Sequence, residues 1–243
     1  MSLDLALIVP ARLASTRFPR KLLHEVDGKP LILWTAERLV NEVPGWPLFF
    51  AVAEEELAKV LRKAGFEAVL TDPNLPSGTD RVAAANREIG AARVINVQAD
   101  EPLTRGKDLE TLRDLLAADA PMATLAAPFP DEMDFRDPHK VKVVCGAPGQ
   151  ALYFSRAPIP FDRDNAGWGK FPAHWHLGLY GYQADFLEQF PQLPPGVLEQ
   201  VEKLEQLRAL EHGYTIAVGA AKGPTIGIDT PEDAAAFARA VTP

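Results

Sequence analysis

Between positions 10 and 21 the chain reads PARLASTRFPRK, which sets Arg12, Arg17, Arg20 and Lys21 within one short stretch. Arginine forks suit bidentate contacts to phosphate oxygens and lysine neutralises them as a point charge, so this set suits a polyphosphate. On charge alone, a solvated basic loop paired with surface carboxylates explains it equally well. The stretch holds no glycine, and GKP at 28–30 lacks the Ser or Thr that a Walker motif places after its lysine. Side chains, not a close-approaching backbone, must then supply the positive field.

Two carboxylates are placed to answer it. Asp100 follows the run RVINVQ and Asp229 follows TIGI, so both are expected just past the carboxyl end of a strand. That is the rim where open α/β sheets hold ligands, and where the cationic loop emerges from LALIVP. Mg²⁺ takes hard oxygen ligands and commonly uses one or two carboxylates plus substrate phosphates. Read alone, Asp229 is a residue preceding a helix and Asp100 a turn residue in ADEP. In LPSGTDR, Ser77 or Thr79 serves equally as a helix cap or as a hydroxyl offered to a ribose or base. His174 and His176 alternate along a strand and face one side, but no third imidazole or thiolate stands at ligand spacing, so His174 reads as structural. Glu202 and Glu205 lie three apart in a run read as one helix, where they share a face that by itself is a solvated charged one.

These residues need a frame, and the rest of the chain supplies one. LALIVP, LFFAVA, AVLT and RVINVQ alternate with the helical patterns PLILWTAERLV, EEELAKVLRKAG, GTDRVAAANREIG and GKDLETLRDLLAA. Such alternation predicts parallel strands joined by crossover helices in an open α/β sheet. The first helix is expected to open on DGKP with Pro30 in its first turn, and Gly65 and Gly90 to end later helices. After about residue 121 the runs MATLAAPF, HKVKVVCG, ALYFSR and HWHLGLYGYQ are strand-like, with CGAPGQ as a hairpin connection. A strand-rich insertion over about 121–195 within a single domain, 1–243, fits this shift. Near the end, Thr230, Pro231 and Asp233 form a capping-box-like helix start.

Composition narrows the function. With 25 Lys and Arg against 33 Asp and Glu the net charge is −8, which argues against nucleic acid or an anionic membrane as partner. A hydrophobic share of 47% with 24% charged residues reads as globular. The opening MSLDLALIVPAR offers neither a membrane span nor a basic signal flank, and a cytoplasmic protein is expected. Cys145 is the single cysteine, so no disulfide or thiolate cluster can form within one chain, and in KVKVVCG it reads as a strand residue.

IVPARLASTRFPRKLL resembles the amino-terminal signature of the CMP-sugar synthetases, with P-A-R, then S-x-R, then P-x-K-x-L. SGTDR, INVQADEP, ALYFSRAPIP, HLGLYGY, LEQLR and GIDTPED resemble, in the same order, the branch acting on 3-deoxy-manno-octulosonate (Kdo), so the resemblance spans essentially the whole chain. Hexose-phosphate nucleotidyltransferases carry a glycine-rich G-x-G-T-R where this chain has P-A-R. The chain departs from its resemblance at Ala99 and Arg20, where relatives usually have glycine.

The resemblance implies an open, mainly parallel, Rossmann-like nucleotidyltransferase sheet flanked by helices. It implies transfer of CMP from CTP to the anomeric hydroxyl of Kdo, giving CMP-Kdo and pyrophosphate for lipopolysaccharide synthesis. Pro10, Ala11, Arg12, Ser15, Arg17, Lys21, Ser77, Gly78, Thr79, Arg81 and Gln98 are the implied nucleotide contacts. Arg12, Arg17 and Lys21 are implied as catalytic with Asp100 and Asp229, the implied Mg²⁺ ligands; Glu101 is a weaker candidate. Gln98, Arg156, His176, Tyr180, Glu202 and Glu205 are implied around the sugar, and two copies are implied to pair as a homodimer. An 8-amino-Kdo or sialic-type acid as acceptor, a non-catalytic nucleotide-binding module and a glycosyltransferase stand as alternatives.

Overall fold

The computed structural model describes residues 3–118, 120–147, 149–164, 167, 170, 174–223 and 227–241. The chain divides into two compact units, residues 1–109 with 225–243, and residues 110–224.

The first unit begins with β1 (Leu3–Ala11), a hairpin of β2 (Glu25–Val26) and β3 (Lys29–Pro30), and α1 (Leu31–Glu42). It continues through β4 (Leu48–Val52), α2 (Glu55–Lys63), β5 (Glu67–Leu70), α3 (Gly78–Ile89) and β6 (Ala91–Asn96). Its strands lie in the order β5-β4-β1-β6, all parallel. β1 is interior to this sheet, and Ala6, Leu7, Ile8 and Val9 are 0–1% exposed. That explains its unbroken apolar run, since an interior parallel strand is covered on both faces. Gly90 closes α3 in the left-handed region at φ 73°, as its position after the helix predicts.

The opening of α1 differs from expectation. Asp27 (φ 51°) and Gly28 (φ 70°) form the tight turn between β2 and β3, the residue pair that a two-residue hairpin favours. Pro30 is therefore the cap that precedes α1 and not a residue of its first turn. α4 (Gly106–Ala117) carries the chain from the first unit into the second.

The second unit holds β7 (Met122–Pro128), α5 (Glu132–Arg136), β8 (Lys142–Gly146), β9 (Gln150–Ser155) and β10 (His174–Gln183). It then runs through α6 (Ala184–Gln189), α7 (Val197–Glu202), α8 (Leu207–Glu211) and β11 (Ile216–Ala220). β8 and β9 form the expected hairpin; Cys145 lies on β8 as expected, but half-buried and not fully buried. Here the prediction of an open, mainly parallel sheet is corrected. β10, β7, β11, β9 and β8 pair in series and β8 pairs back to β10, closing a ring in which only β7 and β11 run parallel. Short strands linked by turns pair antiparallel, and closure removes the exposed edges an open sheet would leave. The architecture is mixed α/β. Part of the proline-rich segment 157–172 lies outside the described residues.

The last helix, α9 (Pro231–Val241), belongs to the first unit. Ile228, Ala234 and Phe237 pack with Val26 and Leu31, and Trp34 meets Phe237 edge-on at 5.5 Å between ring centroids. The expected capping box forms: the Asp233 carboxylate accepts from the Thr230 N–H at 2.9 Å, and Thr230 Oγ1 accepts from the Asp233 N–H at 3.2 Å. This apolar anchor and cap fix the residue that precedes them, Asp229. No helix among the described residues is long and apolar enough to cross a membrane.

Candidate active site

The carboxyl end of β1 and the segments that follow β5 and β6 line one pocket of about 380 Å³ in the first unit. From the end of β1 it takes Pro10 and Ala11, from the loop that follows Arg12, Ser15, Arg17 and Lys21, and from the start of α3 Ser77, Gly78 and Arg81. Gln98 and Asp100, beyond β6, and Asp229, before α9, complete the expected set. Thr79 does not line it; it sits in the first turn of α3 at 4% exposure. Ala14, Thr16, Leu22 and Ala99 line it without having been singled out as contacts.

The loop is held by its own residues. The Leu13 N–H donates to both carboxylate oxygens of Glu54 at 3.1 Å, and the Arg20 N–H donates to the Leu13 carbonyl at 3.2 Å. Arg20 adopts the left-handed region at φ 59°, a conformation that carries a steric cost for a residue with a Cβ. Its guanidinium turns to Glu56 at 2.6 Å and does not line the pocket. Of the four cations of the loop, Arg12, Arg17 and Lys21 line the pocket, joined by Arg81, which the resemblance also implied; Arg20, outside the implied contacts, does not.

Arg81 is 2% exposed and donates from Nη1 to Thr71 Oγ1 at 2.5 Å and to the Asp72 carbonyl at 3.2 Å. Burial pulls its pKa down; the charge of Glu54 opposes this and the like charge of Arg12 adds to it. Two guanidiniums that repel each other across a pocket are relieved by a bound anion. Lining the pocket are Arg12, Arg17, Lys21 and Arg81 against Asp100 and Asp229, an excess of two positive charges in a protein of net charge −8.

Asp100 and Asp229 meet at Lys21. Its Nζ donates to Asp100 Oδ2, to Asp229 Oδ1 at 3.1 Å and to the Ile228 carbonyl at 3.1 Å. Burial works to lower the Lys21 pKa, but the charge and hydrogen bond of Asp100, then those of Asp229, outweigh it and raise it. Arg17 reaches the other oxygen of Asp229 at 2.8 Å. The convergence is built by backbone: the Ile228 N–H donates to the Asp100 carbonyl at 2.9 Å, and Thr35 Oγ1 donates to the Ala99 carbonyl at 2.8 Å. Among the described residues no cluster of three or more His, Cys, Asp or Glu forms a metal site. Ser77 caps α3, its Oγ accepting from the Asp80 N–H at 3.1 Å and donating to the Asp80 carboxylate at 2.5 Å, and the residue also lines the pocket.

Of the residues expected around the sugar, Gln98 lines the pocket of the first unit, and Arg156, His176, Tyr180, Glu202 and Glu205 lie in the second unit. His176 Nε2 is 3.0 Å from Thr124 Oγ1, and its ring stands edge-on to Phe154 at 4.9 Å and tilted to Tyr180 at 5.5 Å. Burial lowers its pKa to about 3, so at neutral pH it offers hydrogen bonds but no charge. The Tyr180 phenol is pushed well up, first by burial, with Tyr182 and Glu205 adding to it. The expectation that Glu202 and Glu205 share one helix face is corrected. Lys203, at φ 55°, ends α7, and α8 starts only at Leu207. Glu202 therefore closes one helix, while Glu205 sits half-buried in the turn that follows. The Glu202 carboxylate accepts from Ser155 Oγ at 2.6 Å and from the Arg156 N–H at 2.9 Å. Gln206, which sequence reading passed over, is 4% exposed with its amide nitrogen making no hydrogen bond among the described residues.

The depressed His176 pKa carries a stability consequence. Below its unfolded value near ~6.5 the unfolded chain takes up a proton that the folded one refuses until about pH 3. Stability contributed by this site is thus complete above that unfolded value and falls with pH, by up to ~1.4 kcal/mol per pH unit. Urea unfolding at pH 7, 6, 5 and 4 should show a shallower decline for His176→Phe than for the wild type; equal declines would refute the assignment.

A basic pocket at the carboxyl ends of parallel strands, with a carboxylate pair on its rim, is the equipment of an enzyme that handles nucleoside triphosphates. Residues 6–216 match the family described as Cytidylyltransferase, and the chain belongs to that family of enzymes. A protein of Syntrophobacter fumaroxidans is 48% identical over 232 residues, covering 93% of this chain and 92% of its own. One of Nitratiruptor sp. is 44% identical over 237 residues, covering 93% and 95%. Both are named 3-deoxy-manno-octulosonate cytidylyltransferase. Among solved structures, a CMP:2-keto-3-deoxy-manno-octonic acid synthetase complexed with CTP superposes with a TM-score of 0.90 at 34% identity, over 98% of this chain and 100% of that one. A cytidylyltransferase of Leptospira borgpetersenii, 14% identical with a TM-score of 0.62 over 95% and 83% of the two chains, shares the fold.

Proposed function

We propose that the protein transfers the cytidylyl group of CTP to the anomeric hydroxyl of Kdo. The hydroxyl oxygen bonds to the α-phosphorus, the bond from that phosphorus to the bridging oxygen breaks, the hydroxyl proton is lost to solvent, and pyrophosphate leaves. One observation carries the reading: Asp100 and Asp229 converge on a single cationic position at the edge of a pocket lined by Arg12, Arg17 and Arg81. Arg12, Arg17 and Lys21 bind the phosphates and offset charge that builds on the departing pyrophosphate. Ser77, Gly78 and Gln98 hold the nucleoside, and Arg156 supplies the cation for the acceptor's carboxylate. The sheet from which the loop springs is read as the Rossmann-like nucleotide half of a single catalytic domain.

Two carboxylates that already hold an ammonium ion between them present hard oxygens to one cation position, a donor set that fits Mg²⁺. Asp100 and Asp229 would hold the ion, which supplies electrostatic stabilisation of phosphate oxygens when bound. Pairing of two copies through the second unit is part of this reading, and a monomer in sedimentation velocity at micromolar concentration refutes that part.

Pyrophosphate release from CTP and Mg²⁺ tests the whole reading, with Kdo, 8-amino-Kdo and a sialic acid offered separately. Kdo is expected to turn over fastest. CTP binding without release on any acid would instead mark a nucleotide-binding module.

A further inference from the structure

Lys142 is a lysine that no step above uses, and it is 0% exposed. Burying an ammonium is costly unless its hydrogens are taken up. Here Nζ donates to two backbone carbonyls, those of Asp137 and Arg156, each at 2.7 Å. The second bond ties the buried charge to the residue assigned to the acceptor's carboxylate.

The other contacts of Arg156 follow the same design. Its N–H donates to the Glu202 carboxylate at 2.9 Å, and that carboxylate also takes the hydroxyl of Ser155, one residue earlier, at 2.6 Å. Tyr153 points its phenol at the same carboxylate, whose charge helps raise the phenol's pKa after burial. The backbone at Arg156 is thus held by Lys142 through its carbonyl and by Glu202 through its N–H. The guanidinium donates to the carbonyls of Glu202 at 2.7 Å, Pro138 at 3.1 Å and Lys203 at 3.3 Å. These three acceptors are neutral. They fix the plane of the fork and leave its full positive charge for an anion.

We propose that Lys142 is a positioning residue for the acid acceptor, bracing Arg156 together with Glu202 so that the guanidinium meets a sugar carboxylate in one orientation. Glu202 is on this account a brace and not a contact to sugar hydroxyls. The inference rests on the reading of Arg156 as the acceptor's cation. Burial lowers the Lys142 pKa, with Arg156 adding to that and Asp137 and Glu202 opposing it, so two cations and two anions share the neighbourhood and each depends on the placement of the rest.

The test is a double-mutant cycle on the full-length protein with CTP, Mg²⁺ and Kdo, following kcat and both KM values. Arg156→Gln should raise the KM for Kdo by about thirtyfold and Lys142→Met by about tenfold, the scale of a misaligned charged contact, with the KM for CTP within about twofold of wild type. The double mutant should match Arg156→Gln alone, because a brace has nothing left to position. A merely structural lysine would shift both KM values alike, or add its full tenfold in the Arg156→Gln background, and either result overturns the inference. So does an unchanged Kdo KM in Lys142→Met beside a raised one in Arg156→Gln. If Lys142→Met does not fold by circular dichroism, Glu202→Gln replaces it in the same cycle, with about fivefold expected and the same criteria. A normal Kdo KM in Arg156→Gln sinks the assignment of Arg156 and the inference with it. A wild-type protein that releases no pyrophosphate with any acid sinks the function itself.

Discussion

Asp100→Ala lowers the rate of pyrophosphate release by at least ~100-fold, and Asp229→Ala does the same, the scale of losing one major electrostatic group from a transition state. The two carboxylates come from distant parts of the chain, yet the Ile228 N–H bonds to the Asp100 carbonyl, so the backbone itself sets them side by side. One carboxylate facing Lys21 is a partly buried ion pair, whereas the two together are the donor set proposed above for a divalent cation. The loss should fall on kcat and leave the KM for CTP little changed, since removing a negative charge does not weaken a pocket that binds a polyanion. Asp100→Asn, which keeps the shape, should lose nearly as much. Near-normal release by either purified alanine variant would defeat the assignment of the pair.

Local chemistry made part of this site legible in the sequence. Thr230, Pro231 and Asp233 announce a helix start within four residues, and the cap they form is what places Asp229 on the rim. The loop after β1 and the cap at Ser77 lie where the sequence puts them, because a strand end and a small polar residue ahead of a helix are local signals. What failed depended on partners remote in sequence. Nothing in the order of residues says that Arg20 turns outward to Glu56 and away from the pocket. The LEQVEKLEQLRAL run has helical periodicity throughout. Yet Lys203 leaves the helical region where its carbonyl receives the Arg156 fork, a tertiary bond that periodicity cannot see. Closure of the second unit into a ring likewise depends on β10 pairing with both β7 and β8, which alternation along any one strand does not encode.

Lys21→Ala should lower kcat/KM for CTP by about 10²- to 10³-fold, and here both parameters move. The ammonium has two duties in the structure. With the pocket free of phosphate it neutralises Asp100 and Asp229 together, from a side chain only 13% exposed. Its raised pKa keeps it protonated throughout the working range. Once a triphosphate enters, a flexible lysine can turn to the phosphates and leave the carboxylates to another cation, a trade a rigid fork makes poorly. Removing it leaves two carboxylates unneutralised beside an incoming polyanion, which raises the KM, and removes charge from the departing pyrophosphate, which lowers kcat. Lys21→Arg should therefore recover binding of CTP to within about fivefold but not turnover, because the planar guanidinium cannot leave and return as a point charge does. Kinetics of pyrophosphate release across a CTP series for the wild type and both variants separate the two duties. Unchanged CTP dependence in Lys21→Ala would contradict its role at the phosphates.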